Sequence, residues 1–153
     1  MSDRWFSVPD DLRSDYSIQS DAAPAVWSID PRIFGPIWEQ GITGEGVRVC
    51  VCDTGLASHP NVKAAEKSRN FTNSGSGAGD VTDRNGHGTH CAGTILGSGG
   101  IGVAPGATLM VAKVLSDSGS GSTSWINAGL VWAAENGADI TSRSLGGSQG
   151  DQD

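Results

Sequence analysis

Residues 47–52 read VRVCVC, and Asp53 follows. The run is short and apolar, with β-branched residues in alternate places, so it predicts a buried strand with an acid at its carboxyl end. Downstream, NSGSGAGD at 73–80 reads as a loop. Gly86 to Leu96 holds HGTHCAGTIL, a small-residue run that predicts a closely packed helix. GSGGIG at 97–102 is a turn, and ATLMVAKVL at 107–115 is a second strand. After a DSGSGS loop, residues 123–136 place Trp125, Ile126, Gly129, Leu130 and Ala133 on one helical face, which Asn136-Gly137 ends. DITSRSL at 139–145 predicts a third strand. Upstream, ITGEG is a turn, and PRIFGPIWEQ at 31–40 predicts a short helix stopped by Gly41. Residues 1–22 carry five aspartates and read as a polar, mobile leader; 23–153 form the domain. The order strand, helix, strand, helix, strand predicts an α/β fold, a three-layer parallel sheet with crossover helices.

The chain has 153 residues, the usual length of one domain. Ten Lys and Arg face 17 Asp and Glu, a net charge of −7, which argues against a nucleic-acid binder. No stretch approaches the 18 or so apolar residues of a membrane span, and no secretory signal opens the sequence. Gly (23 residues) is enriched, but only 6 prolines accompany it, which fits turns in a globular chain. Three cysteines, Cys50, Cys52 and Cys91, are an odd number. Cys50 and Cys52 lie two apart on a strand, with Cα atoms about 6.6 Å apart, at the far limit for a disulfide. All three read as reduced thiols, which suits a cytosolic setting.

Two motif matches lack their context. Gly97 to Gly102 fits GxGxxG but follows a helix and leads into a strand, the reverse of a dinucleotide fold. Gly146 to Gly150 fits GxSxG, but no helix follows to hold Ser148 as a nucleophile. His87, His90 and Cys91 could share a helix face as metal ligands, with Asp53 or Asp83 adding a carboxylate. The site reading expects no metal there.

Asp53 at a strand end and His87 at a helix start can meet above the sheet, where sites gather in open α/β folds. An Asp accepting the imidazole Nδ1–H fixes the tautomer and leaves Nε2 as a base. Read singly, each residue is also compatible with a local structural role.

The surrounding residues decide between these readings. Val51-Cys52-Asp53-Thr54-Gly55, then His59-Pro60, then Asn85-Gly86-His87-Gly88-Thr89-His90-Cys91-Ala92-Gly93 resemble the Asp and His signatures of the subtilisin-like serine proteases. Gly102-Val103-Ala104-Pro105, Lys113-Val114-Leu115 and Ser144-Leu145-Gly146-Gly147 resemble the same family in the same order. The likeness runs from about Pro24 to Gly147.

The resemblance implies serine endopeptidase chemistry, with Asp53 and His87 as the triad acid and base. It implies that Gly119, Ser120 and Gly121 pair with an extended polypeptide substrate, and that Ser144, Leu145 and Gly146 form the opposite wall. Asp83, just ahead of the histidine, reads as loop structure. Cys91 resembles the cysteine of a thiol-containing branch whose members often react with mercurials, or is a small packing residue. The family's nucleophile stands in a GTSMA-like string, and no such string or oxyanion-hole Asn occurs here. The chain therefore reads as an incomplete, N-terminal part of the catalytic domain, inactive alone. The leader is too short for a folded inhibitory propeptide and resembles the short extensions of intracellular members. The strand at 139–145 should expose an unpaired edge, so poor folding, association or a complementing C-terminal half is expected. No cofactor is required. The calcium site common in the family is expected to be absent, since Asn61 replaces its carboxylate and the GSGGIG loop is short. Alternatives are a non-catalytic peptide-binding remnant and a metal-binding module.

Overall fold

The computed structural model describes residues 5–7 and 29–147. Its main sheet has four parallel strands in the order β3-β4-β2-β6. Strand β2 is Arg48–Asp53, β3 is Lys67–Asn70, β4 is Thr108–Lys113 and β6 is Ile140–Ser142. Helix α1 spans Pro31–Glu39, α2 His87–Leu96 and α3 Thr123–Glu135. Strands β1 (Trp5–Ser7) and β5 (Ser120–Ser122) form a separate antiparallel pair. No described helix is long and apolar enough to cross a membrane.

Alternation along the two central strands builds the layers. Val49, Val51, Leu109 and Val111 pack with Ala92 and Leu96 of α2. Cys50, Cys52, Met110 and Ala112 point the other way, onto Ile126 and Ala133 of α3. Both faces of β2 and β4 are thus covered, as a parallel sheet requires. Each fully buried aliphatic side chain contributes about 1.5–3 kcal/mol. The three-layer expectation holds, and the two helices lie on opposite faces.

Three details differ from the sequence reading. Strand β3, KSRN, was not foreseen: three of its four residues are exposed, so its composition carries no apolar period. It is an edge strand, where Lys and Arg discourage further pairing. The third strand covers three residues rather than the seven of 139–145, pairing Ile140, Thr141 and Ser142 with Val49, Cys50 and Val51. Ile140 and Thr141 are exposed, and among the described residues no strand pairs the far side of β6. The third concerns the leader. Trp5–Ser7 is a strand bound to β5, so this part of 1–22 is tied down by backbone pairing; residues 8–22 lie outside the described set.

A further difference is β5, Ser120–Ser122, which lies inside the DSGSGS stretch read as a loop; the remaining elements fall where the patterns put them. Gly41 stands in the left-handed region (φ 78°) just after α1, and Gly97 caps α2. GxGxxG is a turn from α2 toward β4, closed by the Gly102 N–H on the Gly97 carbonyl. Ser148 lies outside the described residues. The cysteines are all unpaired; Cys50 and Cys52 Sγ atoms stand 3.9 Å apart.

Candidate active site

The site forms where β2 ends and α2 begins. Asp53 is the last residue of β2 and His87 the first of α2. Both are buried, at 1% and 2% exposure. Nδ1 of His87 lies 2.8 Å from Oδ1 of Asp53. The same Oδ1 accepts the Thr54 backbone N–H at 2.7 Å. Oδ2 of Asp53 has no hydrogen-bond partner among the described residues. The bond to Asp53 raises His87 to about 10, ahead of a smaller contribution from Cys91 and against the effect of burial. The imidazolium is therefore the favoured form of this pair.

Close approach explains the glycine beside the histidine. A Cβ on Gly88 would strike the Gly55 carbonyl oxygen and come within 3.1 Å of Thr54 Oγ1. Only a residue without a side chain lets α2 start this close to the turn after β2. Gly86, the residue that caps α2, has φ 98° and no side chain to offer. The first-turn N–H groups are satisfied from elsewhere: Gly88 donates to Thr54 Oγ1 at 2.9 Å and Thr89 to Asp83 Oδ2 at 2.9 Å.

Cys91 sits one turn into α2. Its Sγ is 3.9 Å from both Nδ1 and Nε2 of His87, so it lies against the ring and along neither nitrogen's lone-pair direction. Burial acts to raise the thiol, and bonds from His87, His90 and Ser144 outweigh it and hold the thiol below its usual value. His87, His90 and Cys91, the alternative metal trio, are not grouped together among the described residues. His90 is exposed while His87 is buried. The group whose ligand atoms do come within 4.8 Å of one another is Asp53, His87 and Cys91. In it Nδ1 already serves Asp53 and the sulfur is off-axis, a poor fit to the open tetrahedral geometry of zinc.

Gly119, Ser120 and Gly121 lie at the start of β5. Ser7 faces Ser120, Phe6 faces Gly121 and Trp5 faces Ser122 in antiparallel register. Strand β1 occupies this edge of β5. Ser144, Leu145 and Gly146 follow β6; Leu145 packs on the α3-side core. Among the described residues it is β1, not this segment, that pairs with β5.

A buried lysine connects the two regions. Lys113, at the end of β4 opposite Asp53, is fully buried. Its Nζ donates to the Thr54 carbonyl and, at 2.9 Å, to Asp117 Oδ1. Asp117 opens the loop that enters β5. In the sequence Lys113 belongs to a family-like stretch, Lys113-Val114-Leu115, but carries no assigned role, because a lysine in an apolar run marks no site until its contacts are known.

The Subtilase family model matches residues 44–153. An "Intracellular serine protease" of Paenibacillus polymyxa is 48% identical over 118 residues, covering 72% of this chain and 36% of the relative. An "Alkaline protease" of Shouchella clausii is 41% identical over 140 residues, 88% of this chain and 36% of the relative. "Subtilisin Savinase" of Lederbergia lenta is 46% identical over 111 residues, 70% of this chain and 40% of the relative. The chain thus spans well under half the length of the curated relatives it matches.

Proposed function

Because this chain belongs to the subtilase family, we propose that Asp53 and His87 are the acid and base of an Asp/His/Ser serine endopeptidase. The buried 2.8 Å contact between Nδ1 and Oδ1 carries the reading. Asp53 holds the Nδ1 proton and stabilises the imidazolium, which directs proton exchange to Nε2. Once the ring is neutral, above about pH 10 in this chain, Nε2 takes the nucleophile's proton and returns it to the leaving amine. No serine of the 153 residues stands in a GTSMA-like string. The nucleophile and the oxyanion donor are therefore proposed to come from further sequence or a complementing half, and the chain alone to be inactive.

The substrate proposed is a polypeptide in extended form, adding to the edge that Gly119, Ser120 and Gly121 open, with Ser144, Leu145 and Gly146 as the facing wall. The antiparallel seat of β1 on β5 supports this: a main-chain partner already uses the edge, and substrate would take the place of β1. The same observation favours a second reading, a non-catalytic peptide-binding remnant. Three unpaired thiols and intracellular relatives support a reducing, cytosolic compartment.

One experiment separates the readings. The chain is mixed with the C-terminal remainder of subtilisin Savinase and treated with a serine-directed fluorophosphonate. Catalysis predicts labelling of a serine in the added half, slowed about 10⁴–10⁶-fold by Asp53→Asn or His87→Ala, a scale measured in another subtilase and taken over here. Peptide binding without labelling of a stably formed complex would support the remnant. Labelling of the chain by itself would contradict both.

The family's calcium site does not suit these residues. Asn61 turns its amide Nδ2 toward the Ser98 carbonyl at 3.4 Å, and the Asn61 carbonyl accepts Ser98 N–H at 2.8 Å. Asn61 offers at most a neutral amide oxygen where the family's site is expected to supply a charged carboxylate, a weaker ligand for a hard cation. We expect chelation with EDTA to leave the melting temperature unchanged within about 1 °C; a fall of several degrees would show a bound cation.

A further inference from the structure

Asp83 lies outside the pair and is 7% exposed. Its carboxylate accepts five hydrogen bonds, an unusually complete set for a loop residue. Oδ1 accepts from Thr54 Oγ1 at 2.9 Å, Asn85 N–H at 3.0 Å and Gly86 N–H at 2.8 Å. Oδ2 accepts from Thr89 N–H at 2.9 Å and Thr89 Oγ1 at 2.6 Å. Four of these donors come from three residues that bracket His87 in sequence, Asn85, Gly86 and Thr89, and the fifth comes from Thr54, next to Asp53.

Thr54 is the other half of the device. It is fully buried and every polar atom is used. Its N–H fixes Asp53 Oδ1, its hydroxyl donates to Asp83 and accepts from Gly88 N–H, and its carbonyl accepts from Lys113. Strand end and helix start therefore share one hydroxyl and one carboxylate.

We propose that Asp83, acting through Thr54, is a positioning residue that holds Asp53 and His87 in bonding register. The inference rests on the reading of that pair as the acid and base. The physical ground is donor arithmetic. Five donors converge on a carboxylate, which has acceptors only. Asp83→Asn turns one oxygen into an NH₂ group, setting donor against donor on one side of the cluster. Buried unpaired donors are costly, so the 83–89 turn and Thr54 must shift.

The test is an ¹⁵N-NMR pH titration of the His87 ring in the folded chain. His87 is faced by Asp53 from β2 and by Cys91 from its own helix, and both are kept in every variant. Thr54→Val keeps shape and charge and removes only the hydroxyl; Thr54→Ser restores it. The expected result is a His87 midpoint lowered by about one unit or more, tenfold in proton affinity, in Thr54→Val. Thr54→Ser should return it to within about 0.3 units of the parent. Asp83→Asn should move it in the same direction, and the double variant should add little beyond either single one. A Thr54→Val chain that melts lower with its His87 midpoint unmoved would overturn the proposal, leaving Asp83 and Thr54 as structural residues only. A shift in Asp83→Asn alone would also overturn it, since that is the effect of charge at a distance. If Asp83→Asn fails to fold, the two Thr54 variants decide. A parent chain titrating near 6.5 would instead remove the pair itself, a separate and distinguishable failure.

Discussion

Raising the pH from about 6.5 to about 10 is expected to remove on the order of 4 kcal/mol of stabilisation contributed by the His87–Asp53 pair. The cause is His87, whose value in the folded chain is raised to about 10 by the bond to Asp53. In the unfolded chain it returns to about 6.5. A proton held more tightly in the folded state stabilises it fully below the unfolded value. That stabilisation fades as pH rises and is gone once the folded value is passed. The loss therefore falls in the alkaline window between the two values. Urea melts at pH 6.5, 8 and 10 measure it directly. Asp53→Asn should flatten this dependence, because an amide oxygen cannot hold an imidazolium as a carboxylate does. A parent chain equally stable at pH 6.5 and 10 would mean that the pair is not formed in solution.

The second large effect is expected from Gly88→Ala. The new methyl group would meet the Gly55 carbonyl oxygen, a backbone atom that cannot swing aside. Relief requires α2 to move away from the β2 turn, which breaks the Gly88–Thr54 bond and draws His87 from Asp53. Overpacking of this kind costs about 1–3 kcal/mol, and the orphaned N–H adds about as much again. Ala is otherwise a better helix former than Gly by about 1 kcal/mol, so propensity alone predicts the opposite sign. Thermal denaturation and the His87 titration together check it. A more stable Gly88→Ala with an unshifted His87 would show that the helix does not pack as closely as described.

Much of the site was legible because chemistry and pattern coincided. VRVCVC alternates, and its alternation sends valines to α2 and cysteines to α3. Asp53 is the polar residue that ends the run, and HGTHCAG marks His87 through small residues that permit a close approach. The parts that escaped depend on contacts. KSRN and the SGS of β5 carry no apolar period, so only the neighbouring strands make them strands. Asp83 looked like a loop residue because its five donors are drawn from 29 residues upstream to six downstream. The metal alternative at His87, His90 and Cys91 rested on helical spacing alone, and spacing does not reveal that His87 is buried while His90 is exposed. The β1 seat on β5 rests on backbone pairing, which composition does not encode.

The most direct measurement is a long-range ¹H–¹⁵N correlation of the histidine rings across pH 5 to 11. One ring, assigned to His87 by His87→Ala, is expected to stay an imidazolium until about pH 10 and to lose that behaviour in Asp53→Asn. A His87 that titrates near 6.5 and ignores Asp53→Asn would contradict the pairing.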